Sequence, residues 1–222
     1  MEMVSDMGTI ISAMISGDVW AIRQALRADA AYALGAITVT VAGYGMMMLY
    51  RAVPVIERQL ERTVMVGSYL AIAYIIFSGV IERFVFNDQE PWSTTIPPFL
   101  FMIMAWFGAS YNVRLRTHLS FNEFRMNMPR VAQYICLWLD AVLWFVFAVI
   151  VFVTTARQTA LVADNFAIVM GTDNVMQWWF LTAAPIAFVL LVTRVFQNLS
   201  DDIRAWRNNE PLIKQAVIGG DT

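Results

Sequence analysis

Five intervals almost free of charge constrain this chain more than anything else in it: 30–50, 63–81, 91–113, 131–156 with Asp140 as its one interruption, and 174–193. A helix rises about 1.5 Å per residue, so about 20 residues cross about 30 Å of hydrocarbon. Each interval is close to that length. Only 14% of the 222 residues are charged and 59% are hydrophobic, where soluble domains carry about 25% charged residues. A water-soluble fold is therefore excluded. Lipid offers the backbone no hydrogen-bond partners, and the intervals lack the alternation of barrel strands, so the spans must be helical. The expected class is an all-α integral membrane protein with candidate spans at roughly 31–50, 64–82, 95–113, 131–155 and 175–194.

Residues 1–30 read as peripheral. Met7 to Ser16 is apolar but too short to span, and Asp18 suits the N-cap of a helix with Val19, Ile22 and Leu26 on one face and Arg23, Gln24 and Arg27 on another. That helix is expected along the bilayer surface; a loosely ordered leader is the plain alternative. Glu2, Asp6, Gly17 and Asp18 do not make the basic start and cleavage site of a secretory signal, so no removed segment is expected. Ala31, Gly35 and Gly43 form a small-residue stripe that permits close helix approach, and Pro185 should kink the last span. Ser120 and Glu123 form an S-x-x-E capping box, with Phe121, Phe124 and Met128 on one face of a short interfacial helix. Ile56 and Leu60 align opposite Glu57, Arg58, Glu61 and Arg62, as in a helix entering from the headgroups. Asn87, Asp88 and Pro91 mark a turn, followed by Trp92 as a belt residue.

Basic residues set the orientation. Segments 51–63, 114–130 and the tail from 194 hold eleven, against four elsewhere (Arg23, Arg27, Arg83 and Arg157). The positive-inside rule puts the eleven, and the C-terminus, in the cytoplasm. Five spans then put the N-terminus outside; a chain whose 31–50 segment lies flat would put it inside.

The chemistry that is missing narrows the function. His118 is the single histidine and Cys136 the single cysteine, so a bis-histidine haem, a thiolate cluster and an intramolecular disulfide are all unsupported, and neither a metal nor a cofactor is expected. The chain has no G-x-S-x-G, H-E-x-x-H or P-loop motif, and it is not expected to be an enzyme. A net charge of −2 provides no basic face for nucleic acid. Asp140 stands out as a charge inside a span, ten residues into the fourth and near the expected midplane. A proton or cation relay is the sharp reading, and an acid hydrogen-bonded to neighbouring helices or to a partner subunit the plain one, favoured because relays use chains of such groups. Glu82 and Arg83 suit a snorkelling base beside an acid at the outer end of span two. Trp178 and Trp179 read as interface anchors, and His118 beside Arg114 and Arg116 adds to the cytoplasmic basic cluster.

An ordered set of weak motifs then becomes informative. Ile56-Glu57-Arg58-Gln59-Leu60-Glu61-Arg62-Thr63 leads into a span ending Glu82-Arg83-Phe84-Val85-Phe86-Asn87, followed by Pro91-Trp92, Trp106-Phe107-Gly108-Ala109, and Arg114-Leu115-Arg116-Thr117-His118-Leu119. With Ala184-Pro185 and Arg194-Val195-Phe196 in the last span, the chain over about 56–207 resembles the small membrane subunit of tripartite ATP-independent periplasmic (TRAP) transporters, the DctQ-type small permease. Ser93-Thr94-Thr95 departs from the family, which often carries two acids there.

The resemblance implies four core transmembrane helices, to which the residue pattern adds 31–50 as an extra N-terminal hydrophobic helix and short interfacial amphipathic helices. It divides the chain into a peripheral segment 1–30, the extra helix and its connection 31–55, a DctQ-like membrane domain 56–207 and a cytoplasmic tail 208–222. It also implies a scaffold in the bacterial inner membrane, partnered by a large permease subunit, a periplasmic substrate-binding protein and membrane lipids, for sodium-coupled uptake of an organic acid such as a dicarboxylate. The small subunit would carry no substrate or cofactor site. Arg83, Trp92, Gly108, His118 and Asp140 are then structural or subunit-interface candidates. A membrane anchor for a quinone-linked redox complex is the alternative from another class, and a self-associating channel lacks the polar rings it would need.

Overall fold

The computed structural model describes residues 2–116 and 125–213. Short helices α1 (Glu2–Ser16) and α2 (Val19–Ala25) precede the long helices α3 (Ala30–Ala52), α4 (Pro54–Ile81), α5 (Trp92–Leu115) and α6 (Arg130–Asp164). The five-residue α7 (Gln177–Leu181) and the long α8 (Ala183–Arg207) complete the order. Five units are long and apolar enough to cross a membrane: 30–52, 54–86, 92–115, 130–164 and 177–207. The chain is an all-α, multi-pass membrane protein. Among the described residues the only extended pairing is an isolated bridge between Ile168 and Met176.

Helix α8 is the central post. Half of its most apolar stretch is buried, against about a fifth in each of the other spans. Helices α3, α5 and α6 pack around it, and α4 packs on α5. Val39, Val113, Ala148, Phe188 and Leu191 form a core that draws one or more residues from each of α3, α5, α6 and α8. The small-residue stripe of α3 makes its close approaches. A Cβ at Gly35 would collide with Val153 of α6, and one at Gly43 would lie 3.2 Å from Val192 of α8. Ala31, Gly35, Val39, Gly43 and Met47 are all buried at a spacing of four, the ridge that packs into a neighbour's groove.

The helix ends follow local chemistry. Asp18 caps α2 by accepting from the Trp20 amide at 3.0 Å. Pro54 opens α4, where its missing N–H removes no helical bond. A π-helical turn, Glu82–Phe86, closes that span, and Asn87 leaves it at φ 54°, at the turn expected there. The last span breaks at Thr182, between α7 and α8; Pro185 has no N–H for the Leu181 carbonyl, and its ring crowds that turn.

Several helices run well beyond the uncharged intervals. α6 has 35 residues, or about 52 Å at 1.5 Å per residue, so about 20 Å extends past a hydrocarbon core. Charged residues within helices made the sequence-based boundaries too short. The capping box at Ser120 to Glu123, with Phe121 and Phe124, lies outside the described residues, as does His118.

Candidate functional site

The most buried polar chemistry lies where α3, α4, α5 and α8 meet. Arg194 of α8 is 2% exposed and Glu61 of α4 is 1% exposed, so water is shut out and both charges must be met by protein groups. Arg194 Nε donates to both Glu61 oxygens at 3.0 and 3.2 Å, and Nη2 donates to Oε2 at 2.7 Å. Nη2 also reaches the Glu57 carbonyl oxygen at 2.7 Å, while Nη1 donates to Gln197 Oε1 at 2.8 Å and Glu57 Oε1 at 3.3 Å. All five guanidinium N–H groups therefore have acceptors. Gln197 Nε2 donates to Glu57 Oε1 at 2.9 Å, and Ser110 of α5 donates to Glu61 Oε1 at 2.8 Å. Tyr50, in the last turn of α3, lies with its ring 4.6 Å from the Arg194 guanidinium carbon.

Helical spacing assembles this cluster. Glu57 and Glu61 are four apart and so share a face of α4, and Arg194 and Gln197 are three apart on α8. On sequence alone Glu61 falls on the polar side of a helix entering from the headgroups, and Asp140 stands out as the one charge inside a span. The structure corrects both points: Glu61 faces inward against α5 and α8, and the Glu61–Arg194 pair is far more buried than Asp140. Their separation of 133 residues hid the pairing. The readable signal was two acids at i, i+4 in one segment and Arg194 and Gln197 at i, i+3 in another.

Asp140 is also not at the middle of its helix. α6 continues to Asp164, so its midpoint is near residue 147, and Asp140 lies toward the end bearing Arg114, Arg116 and Arg125. Arg125, which precedes α6 in sequence, grips both carboxylate oxygens, the longer bond being 3.0 Å. That hydrogen bond is the main cause of an Arg125 pKa raised above the ordinary arginine value, so its cation is lost only in strong base. The same end is laced together by Arg114 with Asp201, Arg116 with Asp202, and Arg130 with the Ala205 and Trp206 carbonyl oxygens.

At the opposite end, Arg83 is exposed on the π-helical turn, 5.8 Å from the Phe84 ring centroid. Its neighbour Glu82 does not pair with it; Glu82 Oε2 is buried without a hydrogen-bond partner. Trp92 begins α5 beneath Gly171, where an added Cβ would lie 2.7 Å from the Trp92 nitrogen. Gly108 of α5 lets Met65 of α4 approach, with a virtual Cβ 3.2 Å from its sulfur. It also lines an apolar cleft of about 740 Å³ with Trp106, Trp144, Phe147 and Phe188. The five residues singled out from sequence are thus not one site: Arg83 and Trp92 lie at one end, Gly108 within the bundle and Asp140 toward the other end, with His118 undescribed. Among the described residues no group of three His, Cys, Asp or Glu side chains is placed to hold a metal ion.

A family described as tripartite ATP-independent periplasmic transporters, DctQ component, matches residues 72–205, about three-fifths of the chain. The chain belongs to the DctQ family. No curated protein sequence matches it. The DctQ match covers the last third of α4 together with α5, α6, α7 and all but the last two residues of α8. It includes Arg194 but begins after Glu61 and Tyr50, so the buried cluster joins the family region to the segment before it. The protein is a small permease component of a TRAP transporter.

Proposed function

We propose that this DctQ protein is a non-catalytic scaffold, holding a large permease subunit in the bacterial inner membrane during sodium-coupled uptake of an organic acid, for example a dicarboxylate. A periplasmic binding protein delivers the substrate, and the Arg-rich end and C-terminus face the cytoplasm. The observation that carries the reading is the closed state of the Glu61–Arg194 cluster. Every donor of Arg194 is consumed within the chain, whereas a transported ion or anion needs groups that can exchange partners along a path. Such a cluster braces four helices and leaves the moving parts to another subunit.

The test is to co-express the tagged chain with a large TRAP permease and reconstitute the purified material in liposomes with a sodium gradient and the binding protein outside. Uptake should require the large permease and the binding protein and proceed without ATP. Transport by this chain alone would overturn the scaffold reading. A visible absorption spectrum from a bound redox group would favour the enzyme-anchor alternative. A reporter fused to the C-terminus, active on one side of the membrane only, tests the orientation.

A further inference from the structure

Helix α1 has three distinct faces. At 3.6 residues per turn, Ile10 and Ala13 share the first, and both are buried. Ile10 packs in a cluster with Leu26, the residue that caps α2, and with Ala30 and Ala31 in the first turn of α3. Ser5, Ser12 and Ser16 share the second face. Val4, Ile11 and Ile15 share the third, exposed by 75%, 45% and 81%. The three directions are separated by roughly 100–150°, so the contact with α3 leaves an apolar face on one side and a hydroxyl face on the other.

Its surroundings fix the level of this helix. Gly17, at φ 70°, turns the chain from α1 into α2, where Arg23 pairs with Asp164 at the end of α6. Nearby, Arg157 of α6 donates to the carbonyl oxygens of Leu26 and Ala28 at 2.7 and 3.1 Å. These charges gather around the start of α3, a span-length helix, and mark the boundary where the bilayer's polar zone begins. A helix held there, with hydroxyls on one side and aliphatic chains on the other, carries the two-faced pattern of an interfacial helix.

We propose that α1 floats in the bilayer boundary, seating Val4, Ile11 and Ile15 in the acyl-chain region while Ser5, Ser12 and Ser16 face water. The occupant of its apolar face is lipid hydrocarbon. Residues 2–16 contain no Lys or Arg, so the attraction is apolar and independent of anionic headgroups. Through Ile10 and Ala13, the float sets the depth at which α3 enters the membrane. α1 lies outside the residues matched to the DctQ family, and the proposal does not rest on the transporter assignment.

The test uses the full chain with Cys136→Ala and single cysteines at positions 4, 11, 15, 5, 12 and 16, each carrying a nitroxide. Each variant is reconstituted in vesicles of phosphatidylcholine, with and without phosphatidylglycerol. Collision with oxygen and with a water-soluble nickel chelate is read by electron paramagnetic resonance. Val4→Cys, Ile11→Cys and Ile15→Cys should favour oxygen and the three serine sites the nickel chelate, in both lipid compositions. Equal access to nickel on both faces would overturn the proposal. So would shielding of the apolar face from both reagents, which would put protein there, or a pattern requiring phosphatidylglycerol. Met3→Cys and Met14→Cys supply replacement apolar sites if a variant fails to elute like the parent chain.

Discussion

Removing Glu61 while leaving Arg194 tests the packing argument most directly. Glu61→Leu deletes three short guanidinium contacts, at 2.7, 3.0 and 3.2 Å, and the acceptor for Ser110. Arg194 then keeps Gln197, the Glu57 carbonyl oxygen and, at 3.3 Å, the Glu57 carboxylate, whose side chain is 29% exposed, and a cation that is itself 2% exposed loses its closest counter-charge. Breaking one side of a buried pair costs about 3–5 kcal/mol, chiefly through the charge left behind. Glu61→Leu with Arg194→Met removes both charges, and the double variant should recover about 1–3 kcal/mol relative to the sum of the singles. The assay is SDS titration of the chain in dodecyl maltoside, followed by the fluorescence of its eight tryptophans. Single variants within about 1 kcal/mol of the parent, or strict additivity in the double, would refute the claim that this pair braces the bundle.

Other substitutions separate local roles. Gly171→Ala should cost about 1–3 kcal/mol, because its φ is +80° and a Cβ would stand 2.6 Å from Pro91 Cβ; faster proteolysis within 165–176 would report the loosened cap. Gly45→Ala meets nothing within 4 Å and should be neutral or stabilise by up to about 1 kcal/mol in the SDS titration. Arg157→Gln should speed amide exchange across residues 26–32, since two carbonyl contacts and the face of the Tyr32 ring are lost; unchanged exchange would contradict a role in docking α2. Asp140→Asn should change stability by about 1 kcal/mol or less, because the Asp140 side chain is 38% exposed, and should leave reconstituted uptake intact. Lost uptake in an assembled complex would instead support the relay reading.

The bilayer wrote the fold into the sequence at coarse grain: charge-free runs had to become spans because lipid offers the backbone no alternative. Ala31, Gly35 and Gly43 were readable for a similar reason, since a bare backbone on one helix face is of use chiefly to another helix. Helix ends were less legible. Glu61 and Arg157 lie just outside the limits of apolar intervals and Asp140 interrupts one, yet the helices carrying them continue through them because a partner or the boundary receives the charge. A charge count treats each ionisable side chain as a statement about depth. The fold instead uses Glu61 and Arg194 as a pair, and a pair can lie where neither member could alone. That explains why Asp140, conspicuous inside its apolar run, proves the more accessible acid, while Glu61, unremarkable among Glu57, Arg58 and Arg62, lies at the junction of four helices. Depth in such a chain is a property of contacts, and only side chains whose partners lie within a turn or two reveal it in the sequence.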